Sequence, residues 1–117
     1  MRQYVAMRHV AERLPLSEAV FFILASIAVE PRHGYSILRE VESLSGGRVR
    51  LSTGTLYGAL RRLLDDRWIE RFNTGDTSRD KQSYRLTPFG RRVLLQEHER
   101  LIDLVRIASA SLHAKEV

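Results

Sequence analysis

From Leu16 onward the apolar residues recur first at helical spacing, then at strand spacing, then at helical spacing again. Leu16, Val20, Ile23, Leu24 and Ile27 fall on one face of a 3.6-residue period. Ser17 stands where an N-cap belongs, and Leu16 and Phe21 are placed for a hydrophobic staple. The pattern predicts a helix from about Ser17 to Glu30, stopped by Pro31. The stretch "HGYSILREVESL" predicts a second helix that buries Ile37, Leu38, Val41 and Leu44 before Gly46 and Gly47 break it. A third follows Ser52, with Leu56, Leu60, Leu63 and Leu64 as its stripe. The period then becomes two. "WIERFNT" and "SYRLT" read as the strands of a hairpin whose polar tip is "GDTSRDKQ". Thr87 and Pro88 supply an N-cap and a first-turn proline for a last helix that reaches about Leu112. Before Leu16 the spacing is only weakly helical, carried by Met7, Ala11 and Leu14.

Two of these helices carry more than a core-facing stripe. In "RLSTGTLYGALRRLLDD", Gly54, Thr55, Tyr57, Gly58, Arg61 and Arg62 fall away from the leucines. Glycine inside a helix costs about 1 kcal/mol relative to alanine, so two on the exposed face indicate close approach of a partner to the backbone. In the last helix Leu94, Leu101 and Ala108 alternate with His98, Val105 and Leu112 at steps of four and three, a seam of about three heptads. Leu95, Ile102, Leu104 and Ile107 widen it. That is more apolar surface than one small core covers, so a second copy of the chain is the expected partner, through Leu94, Leu101, Val105, Ala108 and Leu112.

The 117 residues are enough for one modest core. The chain contains no cysteine, which excludes disulfides, thiolate metal sites and cysteine nucleophiles and fits a reducing compartment. The run Ala19 to Val29 is too short to span a bilayer and the N-terminus has no signal-peptide pattern, so no membrane segment is expected and the cytoplasm is the expected location. The net charge of +5 is uneven: residues 1–31 are neutral, residues 32–92 carry +6 and residues 93–117 carry −1. A basic surplus confined to the middle of a chain favours a polyanionic partner, nucleic acid first among them.

Three helices followed by a two-stranded hairpin describe a winged helix-turn-helix, a mainly α fold with a small β-hairpin, followed by a long C-terminal dimerisation helix. The expected boundaries are a helical N-terminal extension at 1–15, a winged helix-turn-helix DNA-binding domain at 16–87 and the dimerisation helix at 88–117. In that fold the third helix lies in the major groove. Ser52, Thr53, Gly54, Thr55, Tyr57 and Arg61 would then meet phosphates or base edges, and Arg79 and Lys81 on the wing would meet phosphates.

"HGYSILREVE", "LSTGTLYGALRRLLDDRWIER" and "YRLTPFGRRVL" also resemble, in order and spacing, the three signature blocks of the PadR family of bacterial transcriptional regulators. The resemblance covers roughly Leu16 to Leu95. It implies a dimeric winged-helix repressor of the family's compact branch, paired through C-terminal helices and released from a pseudo-palindromic operator by a small-molecule effector. Ser52, Thr53, Gly54, Thr55 and Tyr57 match the family's DNA-contacting segment; Tyr84, Leu86, Thr87 and Gly90 match the passage from the second wing strand into the last helix. Two positions depart from the pattern. Gly58 stands where a proline commonly follows the motif tyrosine, which would loosen the third helix, and Arg67 replaces the usual glycine before the wing.

Plainer readings apply to several residues. Tyr57 can be a half-buried edge residue, Arg61 and Arg62 can be solvated, Tyr35 reads as a packing residue, and Trp68 faces the core unless it walls an effector pocket. His9, His33, His98 and His113 have no ligand spacing, so no metal is expected, and no cofactor. No phosphate-cradling loop, nucleophile elbow or His-Glu-x-x-His motif supports an enzyme. The alternative to a regulator of double-stranded DNA is a winged-helix module for protein contacts, which would lack the salt dependence of DNA binding.

Overall fold

The computed structural model describes residues 13–72 and 82–114. Four helices and three short strands follow in the order α1 (Glu18–Ser26), β1 (Arg32–His33), α2 (Gly34–Leu44), α3 (Thr53–Asp65), β2 (Ile69–Phe72), β3 (Ser83–Leu86) and α4 (Pro88–Ala114). Most of the N-terminal stretch with weak helical spacing, most of the hairpin tip, and with it Arg79 and Lys81, lie outside the described residues.

Three of the four helices start where the sequence places a cap; α2 follows His33 with no side-chain cap. The Ser17 hydroxyl accepts from the Val20 amide at 3.2 Å, Ser52 from Thr55 at 3.1 Å and Thr87 from Gly90 at 2.9 Å. The α1 terminus differs from expectation, since the helix ends at Ser26 rather than near Glu30. Its last turn tightens, with Ile27 and Ala28 bonding to the carbonyls of Leu24 and Ala25. Two arginines from elsewhere take up carbonyls there: Arg32 Nε donates to Ser26 at 2.6 Å and Arg91 to Ala28 at 2.8 Å.

The strands make an antiparallel sheet in the order β1-β3-β2. β1 was not legible in the hydrophobic pattern; only two residues long, it pairs Arg32 with Tyr84 and His33 with Ser83. Ile69 lies opposite Leu86 and Arg71 opposite Tyr84, so these four share a face, while Glu70, Phe72, Ser83 and Arg85 occupy the other.

The chain divides into two compact units, one of residues 16–94 and one that takes in α4 from Leu95. In the first, Ile23, Leu24 and Ile27 of the α1 region, Ile37 and Val41 of α2, Leu56, Ala59, Leu60 and Leu63 of α3, Trp68 and Ile69, and Val93 are buried. Trp68 is a core residue, as expected. Two expectations for α2 fail. Leu44 is 48% exposed, in the last turn where the chain is already leaving the helix, and Tyr35 is 70% exposed. Tyr35 projects on the side of α2 opposite Ile37, and the Arg39 guanidinium lies 5.9 Å from its ring centroid.

Candidate nucleic-acid interface

The N-terminus of α3 is built by Ser52. Its hydroxyl accepts the Thr55 amide and bonds the Thr55 hydroxyl at 2.8 Å, so Ser52 is a capping residue before it is anything else. Amides in the first turn of a helix have no acceptor within it, and together with the helix dipole they favour an anion at this end. Thr53, Gly54 and Thr55 are exposed there.

Leu56, Leu60 and Leu63 are buried on one side of α3, and at about 2 kcal/mol each they fix its orientation. On the opposite side, a Cβ added at Gly54 or Gly58 would meet nothing within 4 Å. Neither glycine is needed by the packing of this chain. The helix runs unbroken through both, so Gly58 does not interrupt it. Arg61 and Arg62, one turn further on, are exposed. Among the described residues Arg61, Arg62 and Arg71 make no ion pair, whereas Arg48 and Arg50 are paired with Glu18 at 2.9 Å and Glu42 at 3.3 Å. Tyr57 is half-buried. Its phenol end lies over Gly34, where a Cβ would come within 2.6 Å of the hydroxyl oxygen, so the glycine that opens α2 makes room for the α3 tyrosine.

Between α3 and the hairpin lies a cleft of about 460 Å³. Tyr57, Leu60, Arg61 and Leu64 of α3 and Arg71, Gln82 and Tyr84 of the hairpin line it. Sequence reasoning missed Arg71 and Gln82. The signal for Arg71 was present, because in "WIERF" it stands two residues from Ile69 and so faces the same way.

The hairpin joins α3 through a left-handed residue. Arg67 has φ 61°, its amide bonds to Leu64 and the Trp68 amide to Leu63, the pattern of a Schellman motif. The start of α4 packs close against it. The Thr87 hydroxyl donates to the Arg67 carbonyl at 2.6 Å, and a Cβ at Gly90 would sit 1.8 Å from the Trp68 carbonyl oxygen.

A profile of the transcriptional regulator PadR-like family matches residues 23–96, from the middle of α1 into α4. The chain belongs to that family. The PadR-like blocks read from the sequence thus fall on α2, on α3 with β2, and on β3 with the start of α4. The family is one of transcriptional regulators. A curated relative, an uncharacterised 37.1 kDa protein in transposon TN4556 of Streptomyces fradiae, is 36% identical over 81 residues; these are 69% of this chain but 22% of that protein, so the chain spans about a fifth of its relative. Among solved structures, a transcriptional regulator from Clostridium thermocellum is similar with TM-score 0.65 and 23% identity, over 79% of this chain and 87% of the other. A PadR family transcription regulator from Clostridium difficile gives TM-score 0.66 at 19% identity, over 82% and 99%. These two likenesses are of fold.

On α4, Leu94 is half-buried within the first unit, while Leu101, Val105, Ala108 and Leu112 are exposed, as are Leu95, Ile102, Leu104 and Ile107. Glu97 is buried and bonded to Arg100, whose guanidinium that hydrogen bond holds above its usual pKa. No described helix is long and apolar enough to cross a membrane.

Proposed function

We propose that this chain is a sequence-specific DNA-binding regulator, a homodimeric repressor of the cytoplasm that releases a pseudo-palindromic operator when a small-molecule effector binds. Residues 16–87 would form the DNA-binding domain and the helix from 88 onward the dimerisation element. The observation that carries the reading is the outer side of α3, where two glycines meet nothing of their own chain and two arginines make no ion pair among the described residues. A helix pays for bare glycines only where a partner comes close, and unpaired guanidinium groups beside them suit phosphate and guanine. In this reading Thr53, Gly54 and Thr55 meet the DNA first, at the helix N-terminus. Arg61 reaches a flanking phosphate, Tyr57 contacts DNA with the part of its ring left open, and Ser52 acts through the cap. Arg79 and Lys81 add phosphate contacts from the wing. The exposed apolar side of α4 supplies the dimer seam. An effector would act by favouring a spacing of the two α3 helices that no longer fits adjacent major grooves, and only to the extent that it binds that arrangement better.

A gel shift on the DNA upstream of the protein's own gene, with random duplex as competitor, tests this. A shifted band that random duplex fails to compete away supports it. Equal competition by random and upstream DNA would remove the sequence-specific part.

A further inference from the structure

Between α3 and α4 the chain runs out along the hairpin and back, yet the end of one helix and the start of the other meet at Arg67, Trp68 and Thr87. The Thr87 hydroxyl donates to the Arg67 carbonyl at 2.6 Å and accepts the Gly90 amide at 2.9 Å. One oxygen atom therefore closes the end of α3 and opens α4. The Thr87 amide donates to the Trp68 carbonyl at 3.1 Å, and the backbone at Gly90 lies so close to that carbonyl that no Cβ fits between them. Arg67 and Trp68 are in turn bonded back to Leu64 and Leu63 of α3. From another side Arg91 donates to the Ala28 carbonyl at 2.8 Å, which ties the first turn of α4 to the end of the α1 region. All these residues belong to the unit of residues 16–94. An N-cap needs only the bond to the Gly90 amide. The bond that Thr87 gives to α3 and the tie from Arg91 do something more, because they hold the start of α4 in one direction against two other helices.

From this geometry we infer that Thr87 is a positioning residue for the operator complex. By fixing the start of α4 on the end of α3, its hydroxyl sets the separation and twist at which the two α3 helices of a dimer reach DNA, and so the spacing of half-sites that the protein accepts. The inference rests on the DNA-binding dimer proposed above, and it assigns half-site spacing to a side chain that lies off the DNA-facing side of α3. Half-sites one helical turn apart are separated by about 34–36 Å, so one extra base pair moves one of them by about 3.4 Å and about 35°. A joint that yields by about 10° moves a point about 20 Å away by as much as that rise. A loose joint accepts the altered spacing and a fixed one rejects it. Removing the hydroxyl leaves the Arg67 carbonyl and the Gly90 amide without their common partner, and the joint loosens there first.

The test compares wild type with Thr87→Val, which keeps the shape and loses the hydroxyl, Thr87→Ser, which keeps the hydroxyl, and Arg91→Gln, which cuts the tie to Ala28. Thermal unfolding and sedimentation identify which variants are folded dimers. Affinity is measured on the upstream duplex and on the same duplex with one or two base pairs inserted at the centre of the protected region. One inserted base pair should weaken wild type and Thr87→Ser at least about tenfold and Thr87→Val less than about threefold. A loss of affinity that is the same on every duplex is what a purely structural role gives, and it overturns the inference. So does a wild type that accepts all spacings equally, or a Thr87→Ser that behaves like Thr87→Val. If Thr87→Val fails to fold, Arg91→Gln decides, a flattened spacing profile upholding the inference and a wild-type profile overturning it. A distance answers the same question without DNA. The chain has no cysteine, so Arg62→Cys, at an exposed position of α3, carries one nitroxide per protomer. The distribution of α3-to-α3 distances in the dimer should be narrow with Thr87 in place and broader once Thr87→Val is added. Should wild type bind no DNA, the regulator reading falls and this width alone decides: broadening upholds the role of Thr87, and an equal width, or no distance between protomers at all, overturns it.

Discussion

Two helices of this chain end in the same hydrogen-bond pattern, one on a glycine and the other on an arginine. After α2 the left-handed residue is Gly46, φ 63°, and the Gly46 and Gly47 amides close on Ser43 and Glu42. After α3 it is Arg67, φ 61°. An L-residue pays about 1–2 kcal/mol for that conformation, part of which glycine gives back through the entropy of its unfolded chain. Arg67→Gly should therefore raise stability by about 0.5–1 kcal/mol, read as a higher urea midpoint at unchanged slope. The other glycines separate by what surrounds them. Gly90→Ala drives a methyl into the Trp68 carbonyl and should cost about 3 kcal/mol or more in the same assay. Gly58→Ala meets open space and should gain about 1 kcal/mol from helix propensity, yet weaken DNA binding about tenfold. A variant more stable and less able to bind marks a residue kept for its partner. Equal or better DNA binding by Gly58→Ala would show that nothing approaches α3 there.

At the scale of elements, α3 depends on its cap. Ser52→Ala removes the acceptor for the Thr55 amide and the bond to the Thr55 hydroxyl, and should cost about 1 kcal/mol in thermal or urea unfolding. The elements with strong local signals were legible in the sequence. The Ser17, Ser52 and Thr87 caps, the α3 leucines, the glycine stop after α2 and the two wing strands all declare themselves within a few residues. What was hidden depends on residues far apart in the chain. The α1 terminus is set by Arg32 and Arg91, the latter 63 residues from the carbonyl it takes. The strand β1 exists because β3 offers it an edge, and two residues cannot show a period. Tyr35 follows a glycine and looks like core, but the turn of α2 sends it outward. The candidate site was legible where one helix carries it, from Thr53 to Arg62. Its other wall was not, because Arg71, Gln82 and Tyr84 join it only once the hairpin folds against α3.

At the scale of the molecule, the apolar side of α4 and the basic side of α3 belong to one proposal, a dimer that presents two α3 helices to DNA. Leu101→Asp places a charge in the seam and should convert the dimer to monomer in sedimentation at micromolar concentration, with operator affinity falling alongside. Wild type that sediments as a monomer would remove the dimer. The central claim is that the exposed face of α3 binds DNA, and the most direct measurement is the affinity of wild type and Arg61→Ala for the upstream duplex and a random duplex across salt concentration. Wild type should show a steep fall of log affinity with log salt and a preference for the upstream duplex of about a thousandfold or more, and Arg61→Ala should lower the slope by about one on both duplexes. A flat salt dependence in wild type, or an Arg61→Ala variant that binds both duplexes as wild type does, would contradict the claim.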